Sequence, residues 1–263
     1  MSSSFLDRIC ARARADVAQS RARVPFTELA DRPAPPVPSF SGALDAQPGV
    51  ALIAECKMRS PSAGVLREPY DPVELARVYQ RAGAAAVSCL TNEHHFGGSM
   101  AQLEAVARVV DIPVLRKEFI VDEYQIWEAR AAGAAAVLLI AAALPGAELA
   151  RLLESCAAAS IEALVEVHDS SEMTRAQASG ARVIGINNRN LNDFSVDPSR
   201  ALALAAERTA GIRLVAESGV ESPGAVELLR DAGFDAVLVG TALVRERDPE
   251  PLARSLILAG EVR

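Results

Sequence analysis

The sequence predicts an α/β fold, a (β/α)8 barrel preceded by an N-terminal helical extension, and three observations carry that prediction. One pattern recurs at residues 81–90, 131–140, 178–187 and 231–240, and its glycines, Gly83, Gly133, Gly180 and Gly233, fall about fifty residues apart. Each glycine reads as the end of a helix, where the left-handed conformation costs glycine little, followed by an apolar strand. Further strand-like runs at 50–56, 112–115, 163–167 and 212–216 bring the count to eight. Second, these runs are continuously apolar rather than alternating, which suits parallel strands buried on both faces. Third, eight strand–helix units over roughly 210 residues match the size of a TIM barrel. A doubly wound open sheet is the alternative arrangement of the same units.

The elements follow in order. Residues 5–23 space Phe5, Ile9, Ala13 and Val17 as one helical face. The segment is arginine-rich like a transit peptide, but Asp7 and Asp16 favour a packed helix. Residues 33–38 are proline-rich and form a stiff connector, so 1–48 is an extension and linker within a single domain spanning 1–263. Asp71-Pro72, Asp197-Pro198, Ser222-Pro223 and Asp248-Pro249 each set a capping side chain before a proline at the first helical position. Helical periodicity runs through 72–82, 99–110, 122–132 and 223–232.

Composition narrows the function. The chain is 50% hydrophobic but only 4% aromatic, so the core is aliphatic, and its net charge of −7 argues against nucleic-acid binding. The longest apolar run, 134–144, is too short to cross a bilayer. Cys10, Cys56, Cys89 and Cys156 show no C-x-x-C spacing, and three lie in apolar surroundings as core thiols, which points to a reducing, cytoplasmic setting. A monomer is the default for this size. No glycine-rich nucleotide loop occurs, and adjacent His94 and His95 do not converge on one ion, so neither a nucleotide cofactor nor a metal is expected. His168 is read as capping a turn or facing solvent.

The basic residues carry the strongest functional signal. Of 27, only Lys57 and Lys117 are lysine, and each ends an apolar run. Arginine stays charged, whereas an ammonium can give up its proton, so a chain that otherwise uses arginine reserves lysine for chemistry. The other strand ends supply Glu55, Thr91, Glu166, Asn187 with Arg189, Glu217 with Ser218, and Gly240 with Thr241. In a barrel these ends meet on one face, where active sites of this fold are built. Glu55 and Lys57, two apart on a strand, point to the same side. The small residues Ser218, Gly219, Gly240 and Thr241 after the last two strands leave amides open for a phosphate. Phe96 and Phe119 are candidate walls for an aromatic ligand. Lys117 suits either proton donation or a Schiff base with a carbonyl, the latter making a sugar-phosphate aldolase the rival reading. Nearby cations and partial burial are expected to lower its pKa.

Taken together, Ile53-Ala-Glu-Cys-Lys-Met-Arg-Ser-Pro-Ser62, Leu90-Thr-Asn-Glu-His-His-Phe-Gly-Gly-Ser99, Pro113-Val-Leu-Arg-Lys-Glu-Phe-Ile120, Leu164-Val-Glu-Val-His168, Ile184-Gly-Ile-Asn-Asn-Arg-Asn-Leu191, Ala216-Glu-Ser-Gly-Val220 and Leu238-Val-Gly-Thr-Ala242 resemble the indole-3-glycerol phosphate synthases. The resemblance implies ring closure of 1-(2-carboxyphenylamino)-1-deoxyribulose 5-phosphate with loss of carbon dioxide and water, without metal or organic cofactor. It implies Lys117 as general acid, Glu166 for later proton transfers, and Lys57, oriented by Glu55, for the substrate's anionic groups. Asn187 and Arg189 would bind substrate or position Glu166. Ser60, Glu217, Ser218, Gly219, Gly240 and Thr241 would line the substrate and phosphate site, and Phe96 and Phe119 would pack on the anthranilate ring. The sequence departs from the family's pattern at Met58, where a basic residue is common, and at Glu118, Asn190 and Thr241. Met58 removes a charge from the loop after the first strand, which is expected to weaken substrate capture.

Overall fold

The computed structural model describes residues 4–191 and 193–261. Eight parallel strands, β1 (Ala51–Cys56), β2 (Ala86–Leu90), β3 (Val114–Lys117), β4 (Ala136–Ile140), β5 (Glu162–Val167), β6 (Val183–Asn187), β7 (Arg213–Glu217) and β8 (Ala236–Val239), close into a barrel. Each pairs with its sequence neighbours, and β1 meets β8 with Ala51 opposite Ala236. Nearly every strand residue is buried, because side chains pack either into the barrel or against the helices outside it. That double burial explains the absence of alternation in the sequence.

Helices α1 (Phe5–Arg23), α2 (Phe26–Ala30) and α3 (Phe40–Asp45) make the extension, and the barrel helices begin with α4 (Pro72–Ala82). All four repeat glycines take positive φ, from 83° to 100°, as helix-ending residues. Asp71 caps α4 through the amides of Val73 and Glu74, and Ser222 caps the helix Pro223–Asp231, each with proline at the first position as expected. At the other two dipeptides proline itself occupies the cap. Asp197 and Asp248 sit one residue further out and accept from the amides of Ser199 and Glu250. The helix expected over 99–110 ends at Ala107, where the amide of Val109 turns in to Val106 ahead of Pro113.

The two ends of the barrel are finished differently. At the bottom, α3 plugs the opening with fully buried Phe40, and the Glu162 carboxylate at the start of β5 accepts from Ser39 Oγ (2.9 Å) and the amides of Phe40 (2.6 Å) and Ser41 (3.1 Å). Gly49 lies so close to Gly260 that any side chain there would strike its carbonyl. At the mouth, α1 starts with a Ser4–Asp7 capping box and buries Ile9, Ala13 and Val17 of the predicted face together with Cys10, while Phe5 is only half-buried. It is held to the helix Glu123–Ala131 by Tyr124 Oη, which donates to the carbonyls of Ser20 and Val24, and by an Arg21–Asp122 ion pair at 2.6 Å. All four cysteines are free and buried. Among the described residues, no helix is long and apolar enough to cross a membrane.

Candidate active site

All fourteen residues proposed from sequence line one cavity at the carboxyl ends of the strands, about 1150 Å³ measured out to its open mouth. Its floor follows from barrel geometry, in which side chains from alternate strands share a layer. Here the odd strands β1, β3, β5 and β7 contribute Glu55, Lys117, Glu166 and Glu217. Lys117 Nζ lies 3.7 Å from Glu55, 4.0 Å from Glu166 and 3.3 Å from Glu217. The even strands supply mainly apolar wall, including Leu90, Ile140 and Leu238, together with Asn187.

Two glycines make room for these carboxylates. A Cβ at Gly185 would collide with Glu217 Oε1, and one at Gly240 would collide with Glu55 Oε1 and come within 3.0 Å of Lys57 Nζ. Gly240 therefore leaves space for the 2.5 Å Lys57–Glu55 pair as well as facing the cavity. Gly219 (φ 78°) and Ser218 (φ 63°) are both left-handed, and the Ser218 carbonyl accepts from Asn188 Nδ2 at 3.0 Å.

The electrostatics correct one expectation. Burial pulls Lys117 down, but the charges of Glu217, Glu55 and Glu166 more than reverse it, so the ammonium is held above its ordinary value rather than below. Its close neighbours are acids, because the odd-strand layer puts three carboxylates around one lysine. Burial pushes Glu55 up, yet Lys57 and then Lys117 bring it below the usual carboxylate range. Burial likewise opposes ionisation of Glu166, but His168, Lys117 and Asn187 bring it down to about 2. Glu217 goes the other way: burial, only partly offset by Lys117, raises it to about 7. Glu217 is thus the carboxyl balanced between its two forms at neutrality, and neither of its oxygens meets an aligned hydrogen-bond donor.

Phe96 and Phe119 both line the cavity, with their rings 6.4 Å apart. Phe119 is fixed through Glu118, whose carboxylate takes bonds from Thr91 Oγ1 (2.8 Å), Asn92 Nδ2 (2.9 Å) and the Phe119 amide (2.9 Å). Asn187 Oδ1 accepts from the Arg189 amide, and Arg189 Nη1 reaches the Phe194 carbonyl at 2.9 Å, which shapes the loop after β6. After β1 the chain forms a small hairpin, Arg59–Ser60 with Gly64–Val65. Arg59 clips it to the carbonyls of Glu93 and His94, while the Met58 thioether lies where a side chain at Gly97 would have to go.

Three residues escaped the sequence reading. Phe5 lines the cavity from the extension and packs edge-on to His95 (5.4 Å) and Phe194 (4.9 Å). Phe194 itself, at φ 61°, is the second. Their partners are distant in sequence, so periodicity gives no sign of them. The third is His168, which neither caps a turn through its ring nor faces solvent. It lies mostly buried, 3.3 Å from Glu166 and 3.2 Å from Glu172. The spacing of Glu166, His168 and Glu172 was the available signal. His94 and His95 diverge, one toward Asp16 at 3.7 Å and the other onto Phe5.

Comparison with known proteins places the chain in a family. The family model described as indole-3-glycerol phosphate synthase matches residues 6–256. The chain is 48% identical over 259 residues to indole-3-glycerol phosphate synthase 1 of Streptomyces coelicolor, covering 98% of this chain and 96% of that one. It is 46% identical over 258 residues to the indole-3-glycerol phosphate synthase of Micrococcus luteus, covering 96% of each. A solved 3-hexulose-6-phosphate synthase superposes with a TM-score of 0.64 at 18% identity, over 80% of this chain and 99% of that one, a likeness of fold alone. With a family model spanning most of its length and relatives nearly half identical from end to end, the chain belongs to the indole-3-glycerol phosphate synthase family.

Proposed function

We propose that the cavity closes the indole ring of 1-(2-carboxyphenylamino)-1-deoxyribulose 5-phosphate, making the protein a carboxy-lyase of tryptophan biosynthesis that works by general acid and base catalysis. One observation carries the assignment of roles: a single ammonium, Lys117, enclosed by three buried carboxylates on the cavity floor. As the aromatic carbon attacks the ribulose carbonyl, negative charge builds on its oxygen, and Lys117 donates the proton that quenches it. Loss of carbon dioxide then restores the benzene ring. The new hydroxyl leaves as water after a second protonation, and Glu166, ionised at neutrality, accepts the carbon-bound proton lost as the pyrrole becomes aromatic. Glu217, balanced near neutrality and 3.3 Å from Lys117, is suited to return a proton to it.

The remaining residues bind and orient. Lys57, paired with Glu55, faces the substrate's anionic groups. Phe96 and Phe119 take the anthranilate ring, and Asn187 and Arg189 hold substrate or steady Glu166. Ser60, Ser218, Gly219, Gly240 and Thr241 surround the sugar phosphate. Fixing the reacting atoms in this way replaces a cofactor with orientation, since the only electron sink required is the ring itself. The same reading takes the enzyme as a monomer in a reducing cytoplasm, in keeping with four buried thiols; sedimentation velocity checks the monomer.

The rival aldolase needs a free amine to attack a carbonyl, whereas the carboxylates hold Lys117 as ammonium. Incubating the purified chain with the carboxyphenylamino substrate and following indole fluorescence tests the proposal. Absence of product, or a borohydride-trapped adduct on Lys117, overturns it.

A further inference from the structure

His168 is the first residue after β5, two residues beyond Glu166 and two before the helix Ser170–Ala178. Its ring lies between two carboxylates: Nδ1 meets Glu172 Oε2 at hydrogen-bond distance, 3.2 Å, and Nε2 lies 3.3 Å from Glu166 Oε1 in a charge contact without hydrogen-bond alignment. A neutral imidazole has one N–H and would turn a lone pair toward one of these anions. Only the imidazolium carries an N–H on both nitrogens, so that neither anion faces a lone pair. Glu172 is itself fixed, because Oε2 also accepts from the His168 amide at 2.8 Å and its own amide donates to Asp169 at 2.8 Å. The ring is thus clamped from the helix side and presses on the side of Glu166 away from Lys117.

The surrounding charges leave His168 little choice. Glu166 faces Lys117, with Glu217 and Glu55 across the floor and Asn187 beside it. On the helix Ser170–Ala178, Arg175 is committed to the carbonyls of Ala141 and Leu144. With His168 protonated, three cations, Lys57, Lys117 and His168, stand against the floor's three carboxylates. Burial pulls the ring down, but its two carboxylate neighbours raise it to about 10.

We propose that His168 is a positioning residue for the reaction: clamped between Glu172 and Glu166 as an imidazolium, it fixes the orientation and charge of the carboxylate that accepts the ring proton. It does not line the cavity. The proposal rests on the reading of Glu166 as proton carrier. It places one determinant of turnover outside the cavity, at Glu172.

The test combines two measurements on the full chain. With three histidines in the sequence, 15N-imidazole spectra resolve His168 directly, and it should remain doubly protonated at pH 8 in the wild type. In Glu172→Gln the ring should lose its proton at lower pH. For His168→Gln, kcat should fall about ten- to a hundredfold, short of losing the base altogether, with KM nearly unchanged. Removing a cation so near a carboxylate raises that carboxylate's pKa, so the acid limb of kcat/KM should move up by about one to three pH units. Glu172→Gln should shift it less, in the same direction, and guards against a misfolded His168 variant. A neutral His168 at pH 8, or an unmoved acid limb in both folded variants, overturns the proposal. Glu166→Gln separates the two readings. Wild-type turnover in that variant sinks the role of Glu166 and with it that of His168, whereas an inactive Glu166→Gln with unmoved limbs sinks His168 alone.

Discussion

Strand β5 carries two glutamates four residues apart, and they are treated in opposite ways. Glu162, at the bottom rim, receives a serine hydroxyl and two backbone amides from the chain segment entering α3. Glu166, at the mouth, has an oxygen with no aligned donor and is surrounded instead by Lys117 of β3, the Asn187 amide of β6 and His168 of its own turn. An unsatisfied buried acceptor costs about 1–3 kcal/mol, and the mouth carries several. The bottom rim is therefore built for stability, with every partner supplied by the protein. The mouth holds acceptors and charges in readiness, and on the proposed function the substrate is the partner for which they are arranged.

If the mouth is chemistry and the bottom is scaffold, the largest effect should come from the ammonium at the centre of the floor. Lys117→Arg keeps a positive charge but removes the ability to give up a proton, so kcat should drop about 10²- to 10⁴-fold with KM within a few-fold of wild type. Steady-state kinetics read this, and an active arginine variant would place the proton donor elsewhere. Gly240→Ala comes next. A single methyl displaces Glu55 and crowds Lys57, and misplacing a binding group by about 1 Å can cost roughly a hundredfold in kcat/KM. A variant with unchanged kcat/KM would show the floor to be more yielding than the packing indicates.

The bottom rim should answer in stability instead. Glu162→Ala removes a charged acceptor from three donors, so it should destabilise the fold by about 1.5–3 kcal/mol in urea titrations while kcat stays at wild type. A large loss of kcat at equal stability would break the division between the two rims.

The sequence made one rim far more legible than the other. Helix-ending glycines, continuous apolar strands and polar strand ends follow from local physics, so the barrel and the roster of mouth residues could be read before any coordinates. The neighbours of each mouth residue could not. Glu55, Lys117, Glu166 and Glu217 meet because odd strands share a layer in a closed barrel, which is why a lysine expected among cations sits among acids. Glu162 was hidden for a similar reason, since its donors lie more than 120 residues away. Phe5 reaches the cavity only because α1 folds over it, and no spacing along the chain reports that contact.

The smallest effect is also the most discriminating, because it concerns how each rim's stability depends on pH. His168 binds its proton more tightly in the folded chain, with its value raised from 6.5 to about 10. Its contribution is therefore complete below about pH 6.5 and is lost as the pH rises toward 10, where the folded ring also gives up its proton. The stability difference between wild type and His168→Gln should shrink across that window by about 1–2 kcal/mol, less than the full shift because the group is partly solvated. Glu166 works in another range: lowered from 4.5 to about 2, it adds stability above pH 4.5 that fades only as the pH falls toward 2. Glu162 is held by a hydroxyl and two amides, none of which titrates between pH 6.5 and 10, so the Glu162→Ala difference should stay level there. Urea titrations of the three chains at pH 6, 8 and roughly 9.5 compare the slopes. Parallel lines for the two variants would mean that the clamp on Glu166 is as inert to protons as the plug beneath the barrel.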